Sequence, residues 1–431
     1  MNRLALLISL FFAVVSGLAQ AGPQIERWQT PSGVEVLFVE NHSLPIIDVQ
    51  VDFAAGTARE PEGRAGVASL TRTLVDLGAG GMDETQIATR LADVGARLSG
   101  GVDMDRASIS LRTLSMRDKC APAFEILKAV LSQPHLPVVA FDREKARSVS
   151  ALKEALTRPE TLASKAFWAA MYPAHPYGRH ATPESISALL HSDVLAFHAA
   201  FYSAKQASVA IVGDLTRGAA EALAADLTSG LPTGSPSPAI APPSLPEAVE
   251  KRIDHPATQA HLLLGLPAAK RGDPDFFALA TGNYSLGGGG FVSRLMKEVR
   301  DKRGLAYSVH SYFLPLQQPG PFQIGLQTKK GQADEALKLT REVLATFLEH
   351  GPSDAELRAA KQNLIGSFPL RLDTNRKILE NVAMIGFYGL PLDYLDRYPE
   401  NVGKVTSEEV RAAFARHVRP DHLVTVVVGG E

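Results

Sequence analysis

Hydrophobic and polar positions along this chain follow two periods that alternate with one another. Runs with a period of two, such as VEVLFVE (34–40) and IIDVQVDF (46–53), predict strands. Runs with the helical period, such as RAGVASLTRTLVDLG (64–78), predict amphipathic helices. Strands and helices mixed in this order predict an α+β fold, in which helices pack on one face of a mixed sheet.

The same order of elements occurs twice. The second half also opens with a strand pattern, AHLLLGLPAA (260–269), followed by a helix, FFALATGNYSLGG (276–288). Each half ends on a helix, a loop and a β-branched strand, in VLAFHAAFYSAKQASVAIVGDL (194–215) and EVRAAFARHVRPDHLVTVVVGGE (409–431). We therefore predict two homologous α/β units that arose as copies of one another.

A segment rich in proline and serine separates the two copies. Residues 231–248, LPTGSPSPAIAPPSLPEA, carry almost no charge and none of the periods of a helix or a strand. Such a composition predicts an extended linker. The predicted domains are therefore residues 22–230 and 249–431.

The first residues have the pattern of a secretory signal. Arg3 precedes an apolar run from Leu4 to Val15, and small residues lead to Ala21. We expect residues 1–21 to be a signal peptide and the mature protein to be exported, to the periplasm if the source is Gram-negative. A retained N-terminal anchor is the alternative, although the run is short for a membrane span. No later segment approaches that length, so no stable span is expected after cleavage.

Composition excludes several classes of function. The chain has 431 residues and a formal net charge of -2, with no basic block that would favour nucleic acid. Its single cysteine, Cys120, excludes a disulfide within the chain. Histidines at 175, 180, 191 and 198 lack acidic or cysteine partners at zinc spacing. The run Gly287–Gly290 lacks the Gly-Lys-Ser/Thr of a phosphate-binding loop and is expected to let a loop approach the neighbouring sheet.

The segment 285–313, SLGGGGFVSRLMKEVRDKRGLAYSVHSYF, is the most informative part of the chain. Apolar residues at 291, 292, 295, 296 and 299 predict a helix, and Gly304 is placed to end it. Arg300 then lies in the last helical turn. Tyr307 is expected on the strand that follows, on the same side as Leu305 and Val309. The turn would bring a guanidinium and a phenol close together.

This segment resembles the C-terminal-half signature of the pitrilysin/insulinase peptidases, the inverzincins, a group that includes the mitochondrial processing peptidase. The resemblance implies two α/β-roll domains that face each other and form half of a clam shell. It also implies that Arg300 and Tyr307 reach a zinc site built by another domain. There they would bind the substrate and stabilise the negative charge that develops on the scissile carbonyl oxygen during peptide hydrolysis.

The zinc motif of that family, H-x-x-E-H on a helix, has a counterpart without its ligands. The matching stretch, 46–81, has Ser69, Arg72 and Thr73 at the motif positions. Hydroxyls and a guanidinium do not hold zinc, so no metal is expected in this chain. The resemblance also implies a third ligand, a glutamate, for which Glu154 is the nearest match. One hypothesis is that Arg72 occupies the metal's place and pairs with Glu154; the alternative is that Glu154 is a solvated helix carboxylate.

Together these features resemble the metal-free member of a heterodimeric zinc peptidase. The resemblance implies a zinc-bearing homologous partner, extended peptides as substrates and no activity of this chain alone. A competing hypothesis is a non-catalytic scaffold or peptide-binding protein of the same fold, which would not need Arg300 and Tyr307. An unrelated hydrolase with its own site is a further alternative, but neither a nucleophile elbow nor an acid pair occurs in the sequence.

Overall fold

The computed structural model describes residues 22–429. The predicted signal peptide, residues 1–21, lies outside the described residues. Within the described part, no helix is both long enough and apolar enough to cross a membrane.

The first half contains a mixed sheet and the helices that cover it. Its strands are β1 (Glu26–Gln29), β2 (Glu35–Glu40), β3 (Ile46–Phe53), β4 (Gly78–Ala79), β5 (Met82–Asp83), β6 (Arg97–Val102), β7 (Ala107–Leu114) and β8 (Ala207–Gly213). Its helices are α1 (Val67–Val75), α2 (Glu84–Asp93), α3 (Arg117–Ser132), α4 (Val138–Ala155), α5 (Pro159–Met171), α6 (Pro183–Ser187), α7 (His191–Phe201) and α8 (Arg217–Thr228). Six strands form one sheet in the order β1-β2-β8-β3-β7-β6, while β4 and β5 pair separately.

The second half repeats this plan. Its strands are β9 (Val249–Ile253), β10 (Gln259–Ala269), β11 (Ser308–Phe313), β12 (Gly320–Lys329) and β13 (Val424–Val428). Its helices are α9 (Phe276–Asn283), α10 (Ala333–His350), α11 (Asp354–Gly366), α12 (Asn375–Tyr388), α13 (Tyr394–Lys404) and α14 (Ser407–His417). The five strands form a sheet in the order β11-β12-β10-β13-β9.

The two sheets have the same topology. When β1 is set aside, β2, β8, β3, β7 and β6 correspond in sheet order to β9, β13, β10, β12 and β11. In each sheet the first strand of this series runs parallel to the last strand of the half, β2 with β8 and β9 with β13, and the other pairs are antiparallel. The predicted fold class, two homologous α/β units with mixed sheets, is confirmed. The exact boundaries at 230 and 249 stay predictions.

Each half sends one helix to the other. α5 packs on β10 and β13 of the second sheet, and α12 packs on β8, β3 and β2 of the first. The contacts are close: Phe167 of α5 is fully buried, and its ring tip is 2.9 Å from where a side chain on Gly265 of β10 would begin. This exchange covers the sheet faces that the helices of the same half leave open, a feature that the periodic pattern did not predict.

A buried carboxylate also joins the halves. Asp105, in the loop between β6 and β7, is 1% exposed. It accepts hydrogen bonds from the Tyr177 hydroxyl (2.6 Å), the Tyr388 hydroxyl (2.8 Å) and the Gln317 backbone N–H (2.8 Å). Burial, together with the Asp105 charge, raises the pKa of both tyrosines well above their usual value. Tyr177 belongs to the first half and the other two donors to the second, so the Asp105 carboxylate accepts hydrogen bonds from both halves.

The proline-rich segment 231–248 contains no helix or strand and lies along both halves. Its carbonyl oxygens accept hydrogen bonds from Gln206 of the first half (2.5 Å, to Ser235) and from Gln318 of the second (2.7 Å, to Ile240). The connection is extended, as its composition predicts, and is held against the protein along its length.

Candidate functional site

The helix that matches the zinc motif is α1, and a buried carboxyl group holds its first turn. Glu60 is 4% exposed, and its Oε1 accepts the backbone N–H groups of Gly66 and Ala68, both at 2.9 Å. Burial raises the pKa of Glu60 to about 7, even though those two donors and the Arg179 charge favour the ionised form. The start of α1 therefore depends on a group that titrates near neutral pH.

The three motif positions on α1 do not fit zinc. Ser69 and Thr73 are exposed, and the Thr73 hydroxyl donates to the Ser69 carbonyl oxygen at 3.0 Å. Arg72 is 5% exposed and points into the protein. None of the three offers an imidazole, a thiolate or a carboxylate, the groups that bind zinc in proteins.

Arg72 fastens α1 to the edge of the first sheet. Its Nε donates to the Ser108 carbonyl oxygen (2.5 Å) and its Nη2 to the Ser99 carbonyl oxygen (2.9 Å), on β7 and β6. Its Nη1 donates to Asp76 at 2.6 Å, one helical turn further along. Gly100 leaves the room for this contact, since a Cβ there would lie 2.5 Å from Nη2 and the backbone has φ +151. Arg72 is thus a structural link in this half.

The hypothesis that Arg72 pairs with Glu154 is wrong. Every hydrogen bond that Arg72 makes within residues 22–429 goes to Asp76, Ser99 or Ser108. Glu154 lies on an exposed position of α4, as the solvated alternative expects. The guanidinium finds its counter-charge four residues away on its own helix, which the spacing of Arg72 and Asp76 in the sequence already allowed.

One group of three potential metal ligands comes together in the described part of the chain. It consists of Asp273, Asp275 and His417, in the second half and away from the motif positions. Arg416 donates two hydrogen bonds to Asp275, at 2.9 and 2.7 Å. The His417 Nδ1 lies 3.1 Å from the Ala268 carbonyl oxygen. This group is an ion-pair network around the start of α9, and none of the histidines from 175 to 198 belongs to it.

The segment with the Arg and the Tyr begins with a glycine run pressed against the second sheet. A Cβ on Gly287 would lie 2.4 Å from the Ser311 hydroxyl oxygen, and one on Gly288 would lie 2.6 Å from the Asn283 amide nitrogen. The close approach to the sheet that the sequence predicts is confirmed, but Gly287 and Gly288 lie in a π-helix, Tyr284–Gly288, that continues α9 and not in a loop. The chain then makes a short 3₁₀ turn at Gly290–Val292.

The helix with Arg300 starts later than its apolar repeat predicts. Phe291 and Val292 lie in the 3₁₀ turn and are 68% and 50% exposed, instead of facing the core. Helical structure begins at Arg294 and widens to a π-helix over Met296–Asp301. Leu295 and Val299 are fully buried, so the repeat correctly marks the core face from position 295 onward.

Arg294 anchors this helix to α10 and α11. It donates to both carboxylate oxygens of Glu356, at 2.8 and 2.7 Å, and to the Gly351 carbonyl oxygen at 2.8 Å. Its guanidinium carbon lies 5.1 Å from the centre of the Phe347 ring. Burial alone would raise the pKa of Glu356, but Arg294 and the Ser353 donors hold it at about 2. A bidentate pair of this kind fixes the orientation of the helix.

Gly304 ends the helix as predicted, but Tyr307 is not on the strand. Gly304 has φ +62, and its N–H donates to the Arg300 carbonyl oxygen at 2.8 Å. Strand β11 starts one residue after Tyr307, at Ser308. Leu305 and Val309 are 3% and 1% exposed, whereas Tyr307 is 83% exposed. The alternation prediction fails because residues 304–306 are irregular and Tyr307 lies in a bend before the strand, so its phenol is turned outward.

Arg300 lies close to two aromatic rings. Its guanidinium carbon is 5.4 Å from the centre of the Tyr307 ring and 4.7 Å from the centre of the Phe291 ring. Both distances are those of cation–π contacts. The side chain is partly buried, and within residues 22–429 no carboxylate or carbonyl accepts a hydrogen bond from this guanidinium, so its N–H donors could serve a ligand. The structure thus brings together the predicted pair and adds Phe291.

The chain matches known proteins over most of its length. Residues 35–183 match the family model described as insulinase, peptidase family M16, and residues 189–364 match the peptidase M16 inactive domain. A solved peptidase M16 inactive domain from Pseudomonas fluorescens is 38% identical with a TM-score of 0.91, over 94% of this chain and 98% of that one.

Two further similarities cover nearly the whole chain. A protein of Helicobacter pylori named non-peptidase homolog YmxG is 25% identical over 99% of this chain and 98% of its own length. The periplasmic protease PqqL of Escherichia coli has the same fold, with a TM-score of 0.80 at 16% identity over 96% of this chain and 46% of that one. Two family models in sequence order and a relative with 38% identity establish that this chain belongs to peptidase family M16, the insulinase family, with degenerate residues at the zinc-motif positions of its first half.

Proposed function

We propose that this chain is the metal-free subunit of a two-chain M16 peptidase. In that pair a homologous partner would hold the zinc, and this chain would contribute Arg300 and Tyr307 to the hydrolysis of extended peptides. The proposal rests mainly on the surroundings of the Arg300 side chain. Its guanidinium is flanked by exposed rings and hydrogen-bonded to no acceptor in residues 22–429, although the same helix is firmly anchored through Arg294.

Arg300 and Tyr307 suit the charge that develops during peptide hydrolysis. The partner's zinc would supply the Lewis acid. Arg300 would donate to backbone carbonyls of the bound peptide, because a guanidinium presents several N–H groups in a fixed plane. The Tyr307 hydroxyl, on an 83% exposed side chain, would donate to the scissile carbonyl oxygen as negative charge builds up there. Losing one such donor typically costs about 3–4 kcal/mol of transition-state stabilisation.

Two findings support a division of labour between two chains. Ser69, Arg72 and Thr73 cannot bind zinc, and Arg72 is committed to the sheet edge, so this chain is not expected to cleave peptides alone. The relatives described as an inactive domain and as a non-peptidase homolog point the same way. Export through the signal peptide at residues 1–21, to the periplasm in a Gram-negative source, is part of the proposal.

The second candidate is a scaffold or peptide-binding protein of the same fold. The structural use of Arg72 at the motif position favours it, since this helix now serves stability. Arg300, which donates no hydrogen bond within residues 22–429, and the exposed Tyr307 favour the peptidase pair, because a scaffold needs neither a free guanidinium donor nor an exposed phenol.

The proposal is tested by reconstitution. The chain would be co-expressed with an M16 homologue that carries H-x-x-E-H, first of all one encoded by an adjacent reading frame, and the two would be purified together. We expect a stable complex that cleaves extended peptides and loses activity with a chelator, while neither chain is active alone. A homologue that cleaves as fast without this chain, or the absence of a complex at micromolar concentrations of both, would contradict the proposal.

A further inference from the structure

Phe291 is a large apolar side chain that the fold holds in solvent. The 3₁₀ turn Gly290–Val292 begins with Gly290 at φ +60 and is closed by Ser293, whose N–H and hydroxyl both donate to the Gly290 carbonyl oxygen, at 3.0 and 2.7 Å. Ser293 is fully buried, whereas Phe291 is 68% exposed. Leaving a phenylalanine exposed forgoes about 1.5–3 kcal/mol of burial, so this position is not explained by core packing.

The Phe291 ring contacts the guanidinium of Arg300. The guanidinium carbon lies 4.7 Å from the centre of the Phe291 ring and 5.4 Å from that of Tyr307. An exposed arginine otherwise samples many rotamers, and fixing it carries an entropy cost. Two rings within about 6 Å of a cation attract it through their faces and restrict it.

Contacts with aromatic rings differ from an ion pair because they leave the N–H donors of the arginine free. A carboxylate would orient Arg300 but would also occupy its N–H donors and neutralise its charge. The same helix carries two acidic residues. Glu298 accepts from Lys302 at 2.7 Å, and Asp301 forms no ion pair with Arg300 within residues 22–429. The ring contacts therefore leave the N–H donors of Arg300 without an acceptor among residues 22–429, so a peptide carbonyl could bind them.

We infer that Phe291 is a positioning residue for Arg300: its ring holds the guanidinium beside Tyr307 in the orientation that binds the peptide. The inference rests on the proposed function. It also predicts a property of the isolated chain, namely that the Arg300 side chain is more ordered when an aromatic residue stands at 291.

The activity test uses the reconstituted pair and a double-mutant cycle. F291A is expected to lower kcat/KM about tenfold. Losing one exposed cation–π contact would cost roughly fivefold, and misplacing a catalytic group can cost about 100-fold, so the expected effect lies between these values. F291L should fall as far as F291A, whereas F291W should retain most of the activity. V292A, a change at the exposed neighbour in the same turn, is the matched control and should match the wild type. In an R300A background, F291A should have no further effect.

The second measurement needs no partner. The Nε–Hε signal of Arg300 in the isolated chain, assigned through its loss in R300K, should show a higher order parameter in the wild type and F291W than in F291A and F291L. An unchanged signal in F291A would overturn the inference, and so would a loss of activity from F291A that simply adds to that of R300A. If R300A itself cleaves at the wild-type rate, the proposed function fails, and the Nε–Hε signal alone then decides whether Phe291 positions Arg300.

Discussion

The guanidinium of Arg300 and the ring of Tyr307 meet across the turn that ends a helix, with 5.4 Å between the guanidinium carbon and the ring centre. Gly304, in the left-handed conformation at φ +62, reverses the chain between them. The helix side of this contact is anchored by Arg294 and Glu356. On the other side, strand β11 begins directly after Tyr307. A fixed framework thus holds a partly buried guanidinium beside an exposed phenol.

Arg72 should matter for stability. Changing Arg72 to Ala leaves the Ser99 and Ser108 carbonyl oxygens and Asp76 without their donor, and the free energy of unfolding should drop by about 3 kcal/mol. Arg147, which is 80% exposed, is a matched control, and its change to Ala should cost well under 1 kcal/mol. Urea denaturation of the three proteins measures this. Equal losses for both variants would show that the Arg72 contacts contribute nothing specific.

The purified wild-type chain should contain no stoichiometric zinc, because Ser69, Arg72 and Thr73 offer no zinc ligand. Changing Ser69→His, Arg72→Glu and Thr73→His together should not create a tight site. No hydrogen bond or ion pair within residues 22–429 fixes the Glu154 carboxylate as a third ligand, and the triple variant also loses the Arg72 link to the sheet. Metal analysis after dialysis checks both statements. About one zinc per wild-type chain would refute the first, and a tightly held zinc in the triple variant would refute the second.

How much the sequence could predict is visible in this region. The two-copy plan and the nearness of Arg300 and Tyr307 followed from periodicity and from Gly304, because both depend on local order along the chain. The outward turn of Tyr307 and the exposure of Phe291 could not be predicted, because an apolar pattern does not show at which residue a strand or a helix begins. Contacts between the halves, such as Tyr388 with Asp105, join residues 283 positions apart, and no pattern within a window reaches that far.

Glu60 should make stability fall as the pH rises. The folded chain keeps this carboxyl protonated up to about pH 7, whereas the unfolded chain releases the proton near its ordinary value of 4.5. Between these two pH values the folded state binds more protons than the unfolded state. The stabilisation by the protonated Glu60 carboxyl is therefore complete below pH 4.5 and lost by pH 7, and it amounts to at most about 3 kcal/mol. Glu60→Gln keeps the oxygen that accepts from Gly66 and Ala68 but cannot ionise.

The test compares urea unfolding of the wild type and Glu60→Gln at pH 5 and pH 8. Relative to the variant, the wild type should lose about 2–3 kcal/mol between these two pH values. Glu62→Gln, at an exposed position two residues away, serves as the control and should follow the wild type. A pH-independent difference between the wild type and Glu60→Gln would rule out a buried carboxyl that titrates near neutral pH.

Asp105 should hold the two halves together. One carboxylate oxygen of Asp105 accepts from Tyr177, and the other accepts from Tyr388 and the Gln317 N–H. In Asp105→Asn an amide N–H₂ replaces one of these two oxygens. A buried donor then loses its partner, at a cost of about 1–3 kcal/mol. Tyr388→Phe removes a single donor and should cost about 1 kcal/mol. Chemical denaturation gives these values, and limited proteolysis within 231–248 should be faster in Asp105→Asn. Unchanged stability and cleavage would mean that the other contacts between the halves suffice.

The most direct test of the central claim is the turnover of Tyr307→Phe in the reconstituted pair. The change removes one hydroxyl from an exposed ring, so assembly, zinc content of the partner and thermal unfolding should match the wild type. We expect kcat to fall by about 100-fold or more, and Arg300→Ala to lower kcat and raise KM, because the guanidinium also binds peptide carbonyls in the ground state. If both variants assemble with the partner and cleave at the wild-type rate, Arg300 and Tyr307 have no catalytic role and the scaffold alternative holds.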